Sequence, residues 1–427
     1  MPTTRRQFIK RGAGLVTLSM VMPKMWLTEA RAQGNAGRRI FVVIQLGGGN
    51  DGLNTVIPYT DSRYYSLRPA ISFKDTELKD AQGNSTIISN EFGLHPELSE
   101  IKGLFDQGKV AIVKGAGYQN SSLSHFLGMD IWHTANTNGG SGDGWLGKYA
   151  DQALAGKSGL SAVSIGGTLP KSFFADKVVI PSISNFATYT YQTDQRNQGD
   201  RNNQINTFSA NSSRSYPAGS FLEAIAGTGL DAVQGAAQVQ TSVGQYTSPV
   251  TYPANNPLAA ALRMAAQLIT TVPEANLLYV TLGGFDHHSQ EIGNQAEPNN
   301  KLVGQHATLL SHFSEGVKAF YDDMAAHNLA DKVLMMQWSE FGRRPNENAS
   351  FGTDHGTAAP MFIIGDPVQG GFYGEQPSLA VTELDQAGNL KFKVDFRAVY
   401  ATILDRWLQA DSESILGARY ENVGFLA

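Results

Sequence analysis

Short runs of consecutive apolar residues alternate along the chain with segments whose apolar residues recur at helical spacing. Such runs, bounded by glycine or polar residues, are typical of strands that are buried on both faces of a parallel sheet. Five strands are predicted, at 40–46, 110–113, 277–282, 333–338 and 361–364. Helices are predicted at 98–105, 302–324 and 396–407. The alternation predicts an α/β fold in which a mostly parallel sheet carries helices on both faces.

One segment, from about residue 182 to 257, breaks this alternation. It is rich in Asn, Gln, Ser, Thr and Ala and has few large aliphatic residues in sequence. We interpret it as an irregular or helical insertion, either a cap over the sheet or a mobile arm.

The N-terminus carries the pattern of an export signal. Thr4–Lys10 places the pair Arg5-Arg6 before a polar residue, two apolar residues and a lysine, which is the twin-arginine pattern. A weakly apolar stretch and the small-x-small site Ala30-Arg31-Ala32 follow. We therefore predict a twin-arginine signal peptide over 1–32, recognised by the Tat translocase, and a single periplasmic domain over 33–427. The alternative is a basic amphipathic helix that belongs to the domain.

Composition narrows the function classes. The chain contains no cysteine, which excludes disulfides, thiolate-bound metals and thiol nucleophiles. The formal net charge of −5 gives no electrostatic basis for binding nucleic acid. Outside the signal, no apolar run is long enough to span a membrane.

Polar side chains follow several of the predicted strands. In open α/β sheets, ligands bind beyond the carboxyl ends of the strands, so these side chains are expected at one edge of the sheet. They are Asn50 and Asp51, Ser122, Ser124 and His125, Asp286, His287 and His288, Glu340 with Arg343 and Arg344, and Asp354 with His355. Carboxylates combined with imidazoles suit Zn²⁺, Mn²⁺ or Ca²⁺. His306 lies on the apolar stripe of the helix predicted at 302–324, and we interpret it as a hydrogen-bonded core histidine.

Six motifs carry a resemblance to a known family. They are Gly48–Asn54, Gly93–Pro96, Ser124–Phe126, Asp143–Gly147, Ser339–Arg343 and Gly352–Gly356. In this order, over nearly the whole mature chain, they resemble a Tat-exported bacterial domain-of-unknown-function family placed within the alkaline phosphatase–sulfatase superfamily. The resemblance implies an α/β/α sandwich. It also implies hydrolysis of phosphate or sulfate esters with one or two divalent metals and a Ser or Thr nucleophile.

The same resemblance implies roles for individual residues. Asp51, Asp286 with His287 or His288, and His355 match metal ligands of the superfamily.

Glu340 falls where the superfamily has an Asp-His pair. It is expected to bind metal, although Phe341 replaces the histidine and leaves a one-metal or degenerate site open. Ser124 matches the nucleophile at the start of a helix, where backbone N–H groups hold an anion. His125 is expected to orient Ser124 or to bind substrate, and Arg343 to hold the substrate anion.

Three functions follow. The first is an exported metal-dependent hydrolase that acts on a small anionic ester, which the clustered carboxylates and histidines favour. The second is a non-catalytic periplasmic binding or assembly protein, which the polar insertion favours. The third is a metal-free Ser-His-Asp esterase, which uses many of the same residues.

Overall fold

A computed structural model describes residues 37–190, 193, 197–293 and 301–427. The predicted twin-arginine segment and its cleavage site lie outside these residues. Export, the start of the domain at residue 33 and its extent therefore stay predictions. Among the described helices, none is both long and apolar enough to cross a membrane.

A central sheet of nine strands organises the described part of the chain. The strands are β1 (Ile40–Gly47), β2 (Val56–Ile57), β3 (Gly93–Leu94), β4 (Val110–Gly117), β5 (Ala162–Ile165), β6 (Ser182–Ile183), β7 (Leu277–Gly283), β8 (Val333–Trp338), β9 (Arg343–Glu347), β10 (Thr353–His355), β11 (Ala359–Ile364), β12 (Gly371–Tyr373) and β13 (Val394–Asp395). The central sheet has the order β12-β4-β11-β8-β1-β7-β5-β6, and β13 also pairs with β4. β2 pairs with β3, and β9 pairs with β10, in two small antiparallel ladders.

One strand of the central sheet runs against the others. β1 is parallel to both β7 and β8, and the pairs β5–β7, β5–β6, β4–β12 and β4–β13 are also parallel. β11 lies between β4 and β8 and is antiparallel to both. The beginning of β11 therefore lies at the edge where its neighbours end.

Helices cover both faces of the sheet. They are α1 (Gly52–Thr55), α2 (Ser62–Leu67), α3 (Ser99–Asp106), α4 (His125–Thr134), α5 (Trp145–Ala153), α6 (Gln198–Ser212), α7 (Phe221–Gln245), α8 (Pro257–Thr271), α9 (Gln305–Ala326), α10 (Phe396–Thr402) and α11 (Ser412–Leu416). A π-helical turn, Ile403–Leu408, continues α10. Turns of 3₁₀ helix lie at Asp75–Glu77, Pro96–Leu98, Lys171–Phe173, Phe186–Thr188, Ala330–Lys332 and Val381–Glu383.

The side chains of β1 alternate between two separate cores. Ile40, Val42 and Ile44 pack with residues of α3, α8 and α9 on one face. Phe41 and Val43 pack on the other face with residues of α4, α5, α10 and α11. Because both faces are buried, the strand reads in the sequence as a continuous apolar run.

The predicted fold class, a mostly parallel α/β sandwich, is confirmed. All five predicted strands are present; β1 and β7 extend one residue beyond the predicted bounds, and β4 and β11 extend further. The helix predicted at 302–324 begins at Gln305, directly after Gly304 at its N-cap. The polar segment at about 182–257 contains β6 and, in its described part, the helices α6 and α7.

His133 makes the stability of the second core depend on pH. Its ring packs against Trp338, and burial lowers its pKa from 6.5 to about 4. Between these two pH values the unfolded chain binds a proton that the folded protein does not, so stability falls as the pH falls. His133→Gln is expected to reduce this fall by about 1.4 kcal/mol per pH unit. Urea denaturation from pH 7 to pH 4 measures it, and equal slopes in both proteins would contradict it.

Candidate metal centre

Residues from five elements meet at the edge where β1, β7 and β8 end. Gly48 follows β1, Asp286 follows β7 and Glu340 follows β8. β11 begins at this edge because it runs the opposite way, which brings in His355 from the segment before it. α4 begins there with His125.

Glycine allows the loops after β1 and β7 to approach each other closely. Gly48 has a φ of +123°, and a Cβ atom there would lie 2.5 Å from the backbone nitrogen of Asp286. Gly49 has a φ of +77°, and its Cβ would lie 2.3 Å from the ring of Phe341. A larger residue at either position would push Asp286 or Phe341 out of place.

Asp286 is at the centre of the group. Its Oδ1 accepts a hydrogen bond from Arg343 Nη2 at 2.6 Å and lies 3.0 Å from His288 Nε2 and 3.1 Å from His355 Nε2. Its Oδ2 lies 3.3 Å from His125 Nε2. Partial burial raises the pKa of Asp286, but hydrogen bonds from Arg343 and His355 and the charge of Arg343 outweigh it and hold the pKa far below the usual value. The carboxylate is therefore ionised, and it is open to solvent on one side.

The three imidazoles around Asp286 share one hydrogen-bonding pattern. Each has an acceptor on Nδ1: Glu340 Oε1 at 2.9 Å from His125, Asp354 Oδ1 at 3.3 Å from His288, and the carbonyl oxygen of Leu123 at 2.7 Å from His355. With the proton on Nδ1, the lone pair of Nε2 would be free to bind a cation beside Asp286. The Nε2 atoms of His288 and His355 lie 2.9 Å apart, which is within hydrogen-bond distance.

The donor set fits a divalent metal ion. His125, Asp286 and His355 each offer one ligand atom, and these atoms lie within 4.8 Å of one another. Two imidazoles and a carboxylate with an open side form the ligand set of many catalytic metal sites. Hydrogen bonds from the second ring nitrogen to a carboxylate or carbonyl are typical of metal-binding histidines.

Glu340 supports His125 and lies behind it. Its side chain is 1% exposed, and its Oε1 accepts from the backbone N–H of Gly48 at 2.8 Å as well as from His125. The structure thus places Glu340, predicted as a metal ligand, on the far side of a histidine. Phe341 packs against the rings of His125 and His355 and forms an apolar wall.

Arg343 is a structural residue of this edge. Its side chain is buried, and its guanidinium donates to the carbonyl oxygens of Gly48, Gly49, Thr353 and Phe285 and to Asp286. All of its nitrogens are engaged within the protein. The structure therefore gives Arg343 a role in positioning Asp286, where the sequence predicted a contact with the substrate anion.

Asp51 belongs to a separate buried network. Both of its carboxylate oxygens accept from Arg68, at 2.9 Å for the Oδ1–Nη2 pair, and Oδ1 also caps α1. Burial raises the pKa of Asp51, but the charge and hydrogen bonds of Arg68 bring it down to about 2. With both oxygens used in an ion pair, Asp51 does not join the three ligands above, although the sequence predicted it as a ligand.

His306 lies in the same buried network, as predicted for a core histidine. Its Nε2 is 3.0 Å from Asn50 Oδ1. Glu291 is also buried there; it accepts from Asn54 at 2.8 Å, and burial raises its pKa well above the usual value. Sequence reasoning missed Arg68 and Glu291, because neither residue follows a predicted strand.

The adjacent histidines His287 and His288 point to opposite sides. His288 faces Asp286, whereas His287 is buried against Phe285 and His306. Burial and the charge of Arg343 lower the pKa of His287 to about 4. Of the two, His288 is the one that reaches the candidate metal centre.

Ser124 stands at the N-cap of α4, immediately before His125. Its side chain makes no capping hydrogen bond, and the residue is exposed. A serine whose only role is helix capping would accept a bond from the first turn. The hydroxyl is therefore available for another interaction.

The sequence as a whole matches one protein family. Residues 38–417 match the family described as "Protein of unknown function (DUF1501)". The chain belongs to this family. The match covers the candidate metal centre of this DUF1501 protein and most of the described chain.

Solved structures similar to this DUF1501 protein are distant. The Zn complex of the C-terminal periplasmic domain of EcEptC from Escherichia coli is 11% identical, with 77% of this chain and 74% of that chain covered and a TM-score of 0.37. A Vibrio parahaemolyticus protein in the alkaline phosphatase superfamily is 9% identical, with 80% and 63% covered and a TM-score of 0.31. Alkaline phosphatase from the Antarctic bacterium TAB5 is 10% identical, with 77% and 93% covered and a TM-score of 0.29. No curated protein sequence matches significantly.

Proposed function

We propose that this protein is a metal-dependent hydrolase of phosphate or sulfate esters. The observation that carries the proposal is the convergence of three histidine Nε2 atoms on Asp286, each histidine having an acceptor on Nδ1. The reaction class comes from the motifs that resemble the alkaline phosphatase–sulfatase superfamily.

His125, Asp286 and His355 would hold the metal ion. The imidazole ligands suit Zn²⁺ and the carboxylate also suits Mn²⁺, whereas Ca²⁺ takes oxygen ligands only. When bound, the ion supplies a Lewis acid for the ester oxygens. Arg343 holds Asp286 in place, Glu340 orients His125, and Phe341 excludes water from one side of the imidazoles.

Ser124 is the proposed nucleophile. Its free hydroxyl lies at the N-terminus of a ten-residue helix, next to the ligand His125. Backbone N–H groups at such a terminus favour an anion, which suits the phosphoryl or sulfuryl group of the substrate.

Ser124→Ala is expected to lower the rate of hydrolysis of p-nitrophenyl phosphate or sulfate by about 1000-fold or more. The assay uses the metal-loaded protein, and metal content is measured in parallel. Ser66→Ala, an exposed serine on α2, serves as the control and is expected to keep full activity. Equal activity of the Ser124 variant and the control would exclude Ser124 as the nucleophile.

One observation favours the metal-free esterase as a second candidate. His125 is oriented by Glu340 through Nδ1 and directly follows Ser124, which supplies the residue types of a serine esterase. Chelation distinguishes the two functions. Esterase activity that survives removal of all divalent metal would favour the second candidate.

We also propose that the protein is exported to the periplasm by the twin-arginine route. Replacing Arg5-Arg6 by Lys-Lys is expected to abolish export, because the translocase reads the arginine pair. Fractionation of cells that express either form measures the periplasmic share. Undiminished periplasmic accumulation of the Lys-Lys form would contradict this proposal.

A further inference from the structure

Two segments that carry residues of the candidate metal centre lie side by side. The segment 286–291 follows β7 and includes Asp286 and His288. The segment 348–355 begins with the turn between β9 and β10 and includes His355. Because the two segments are far apart in sequence, contacts between them set the distances among these three side chains.

Backbone hydrogen bonds hold the two segments together. They run from the N–H groups of Gln290, Glu291 and Thr353 to the carbonyl oxygens of Ser350, Phe351 and His287, respectively, each at 2.9 Å. Gly352 allows this close approach, because a Cβ atom there would lie 2.5 Å from the carbonyl oxygen of His287. The backbone thus fixes the alignment of the segments, and a residue larger than glycine at this position would separate them.

Two residues of the segments adopt a backbone conformation that most side chains disfavour. Gln290 has a φ of +51° and Phe351 has a φ of +58°, both in the left-handed region. Residues other than glycine rarely take this conformation, and it persists only where the surrounding structure enforces it. The contacts around these two residues therefore outweigh the strain.

Asn348 is the residue whose side chain joins the two segments. Its Nδ2 donates to the carbonyl oxygen of His288 at 2.9 Å and to Asp354 Oδ1 at 3.3 Å. Its Oδ1 accepts from the backbone N–H groups of Ser350 at 2.9 Å and Gly352 at 3.2 Å. One amide therefore closes its own turn and holds the neighbouring segment against it.

Through these bonds Asn348 restrains two histidines of the centre. Asp354 Oδ1, to which its Nδ2 donates, also lies 3.3 Å from His288 Nδ1. His355 follows Asp354 directly, and its Nε2 lies 3.1 Å from Asp286 Oδ1. His288 Nε2 lies 3.0 Å from the same oxygen. Loss of the amide would therefore release both the main chain of His288 and the carboxylate that faces its ring.

We propose that Asn348 is a positioning residue of the candidate metal centre. Its amide holds the segment that carries Asp286 and His288 against the turn that leads to His355, and so keeps these side chains at the spacing that one ion requires. The inference rests on the proposed function, since it takes the centre to bind a divalent metal. Removal of a hydrogen-bonding neighbour of metal ligands typically lowers metal affinity by about 10–100-fold.

Titration of the full mature chain with Co²⁺ tests this role through metal affinity and through the visible absorption spectrum of the bound ion. Asn348→Ala is expected to weaken Co²⁺ binding about 10–100-fold. At saturating Co²⁺ it is also expected to change the absorption bands, because these bands depend on the arrangement of the ligands around the ion. A residue that only stabilised the fold would leave the spectrum of the folded, loaded protein unchanged.

Asn348→Ser separates the two roles of the amide and keeps the test decisive if the alanine variant does not fold. The serine hydroxyl can still close the turn by accepting from the N–H of Ser350, but it is too short to donate to the carbonyl oxygen of His288. The serine variant is therefore expected to fold and to show the same loss of affinity and the same spectral change as Asn348→Ala.

Asn136→Ala is the matched control. Asn136 Oδ1 accepts from the N–H of Asn138 and its Nδ2 donates to the carbonyl oxygen of Ser141, both at 3.0 Å, in a turn after α4 that carries no residue of the centre. Its replacement is expected to leave Co²⁺ affinity and the spectrum unchanged. Wild-type affinity or an unchanged spectrum in both Asn348 variants would overturn the inference alone, and so would an equal loss in the control. Failure of the unmodified protein to bind Co²⁺ would refute the metal centre itself and the inference with it.

Discussion

Asp286→Asn and His355→Ala are each expected to weaken binding of Zn²⁺ or Mn²⁺ by more than about 100-fold without unfolding the protein. Both residues contribute a ligand atom to the candidate centre. Asparagine retains an oxygen for Arg343 Nη2, so the buried guanidinium keeps its partner. Metal content by plasma mass spectrometry and circular dichroism on the same samples measure the two parts of this prediction.

His327→Ala is the matched control for this experiment. His327 also contacts an aspartate, with its Nδ1 3.0 Å from Asp323 Oδ1, but it lies at the end of α9, outside the centre. Its replacement is expected to leave metal binding unchanged. Metal stoichiometry that is the same in all variants would refute the site, and equal losses in all variants would indicate nonspecific binding to histidine.

Arg68→Ala is expected to lower the free energy of unfolding by about 3–5 kcal/mol. The guanidinium is fully buried, forms the ion pair with Asp51 and donates to the carbonyl oxygens of Arg344 and Pro345. Removing it leaves an ionised carboxylate buried without a counter-charge, which is the costly case. Urea denaturation at neutral pH measures the change.

Two further variants serve as controls for the prediction about the buried ion pair between Arg68 and Asp51. Arg63→Ala breaks an exposed pair with Asp61 and is expected to lower stability by less than about 1 kcal/mol. The double variant Arg68→Met with Asp51→Leu removes both charges and is expected to recover much of the loss. A loss below about 1 kcal/mol for Arg68→Ala would contradict the buried ion pair.

The strands could be predicted because a strand that is buried on both faces of the sheet appears in the sequence as a run of consecutive apolar residues. The direction of β11 could not, because an apolar run carries no information about which way a strand runs. In a fully parallel sheet, His355, which precedes β11, would lie at the opposite edge from Asp286. The prediction that these residues gather at one edge therefore depended on a reversal that the sequence pattern did not reveal.

The sequence was less informative about which polar residues lie at the candidate metal centre and which form other buried contacts. Asp51 and Asp286 both follow buried strands, and the local sequence does not distinguish them. The difference arises from Arg68, which approaches Asp51 from another segment of the chain. Arg343 likewise resembles an anion-binding residue in sequence, whereas in the structure it donates to backbone carbonyls from three other segments of the chain. Contacts of this kind depend on tertiary packing, which residue spacing does not encode.

The reversed strand gives a bound metal ion a second consequence. His355 reaches the centre only when β11 has inserted between β4 and β8, and a slip of one residue would turn the side chains of β11 to the wrong face. An ion that needs all three ligands binds the correctly threaded chain and discriminates against slipped or incomplete sheets. At a free concentration 100 times its dissociation constant, it would favour the correct form by about 2.7 kcal/mol. A bound ion would thus stabilise the sheet with the correct strand order relative to misordered forms during folding.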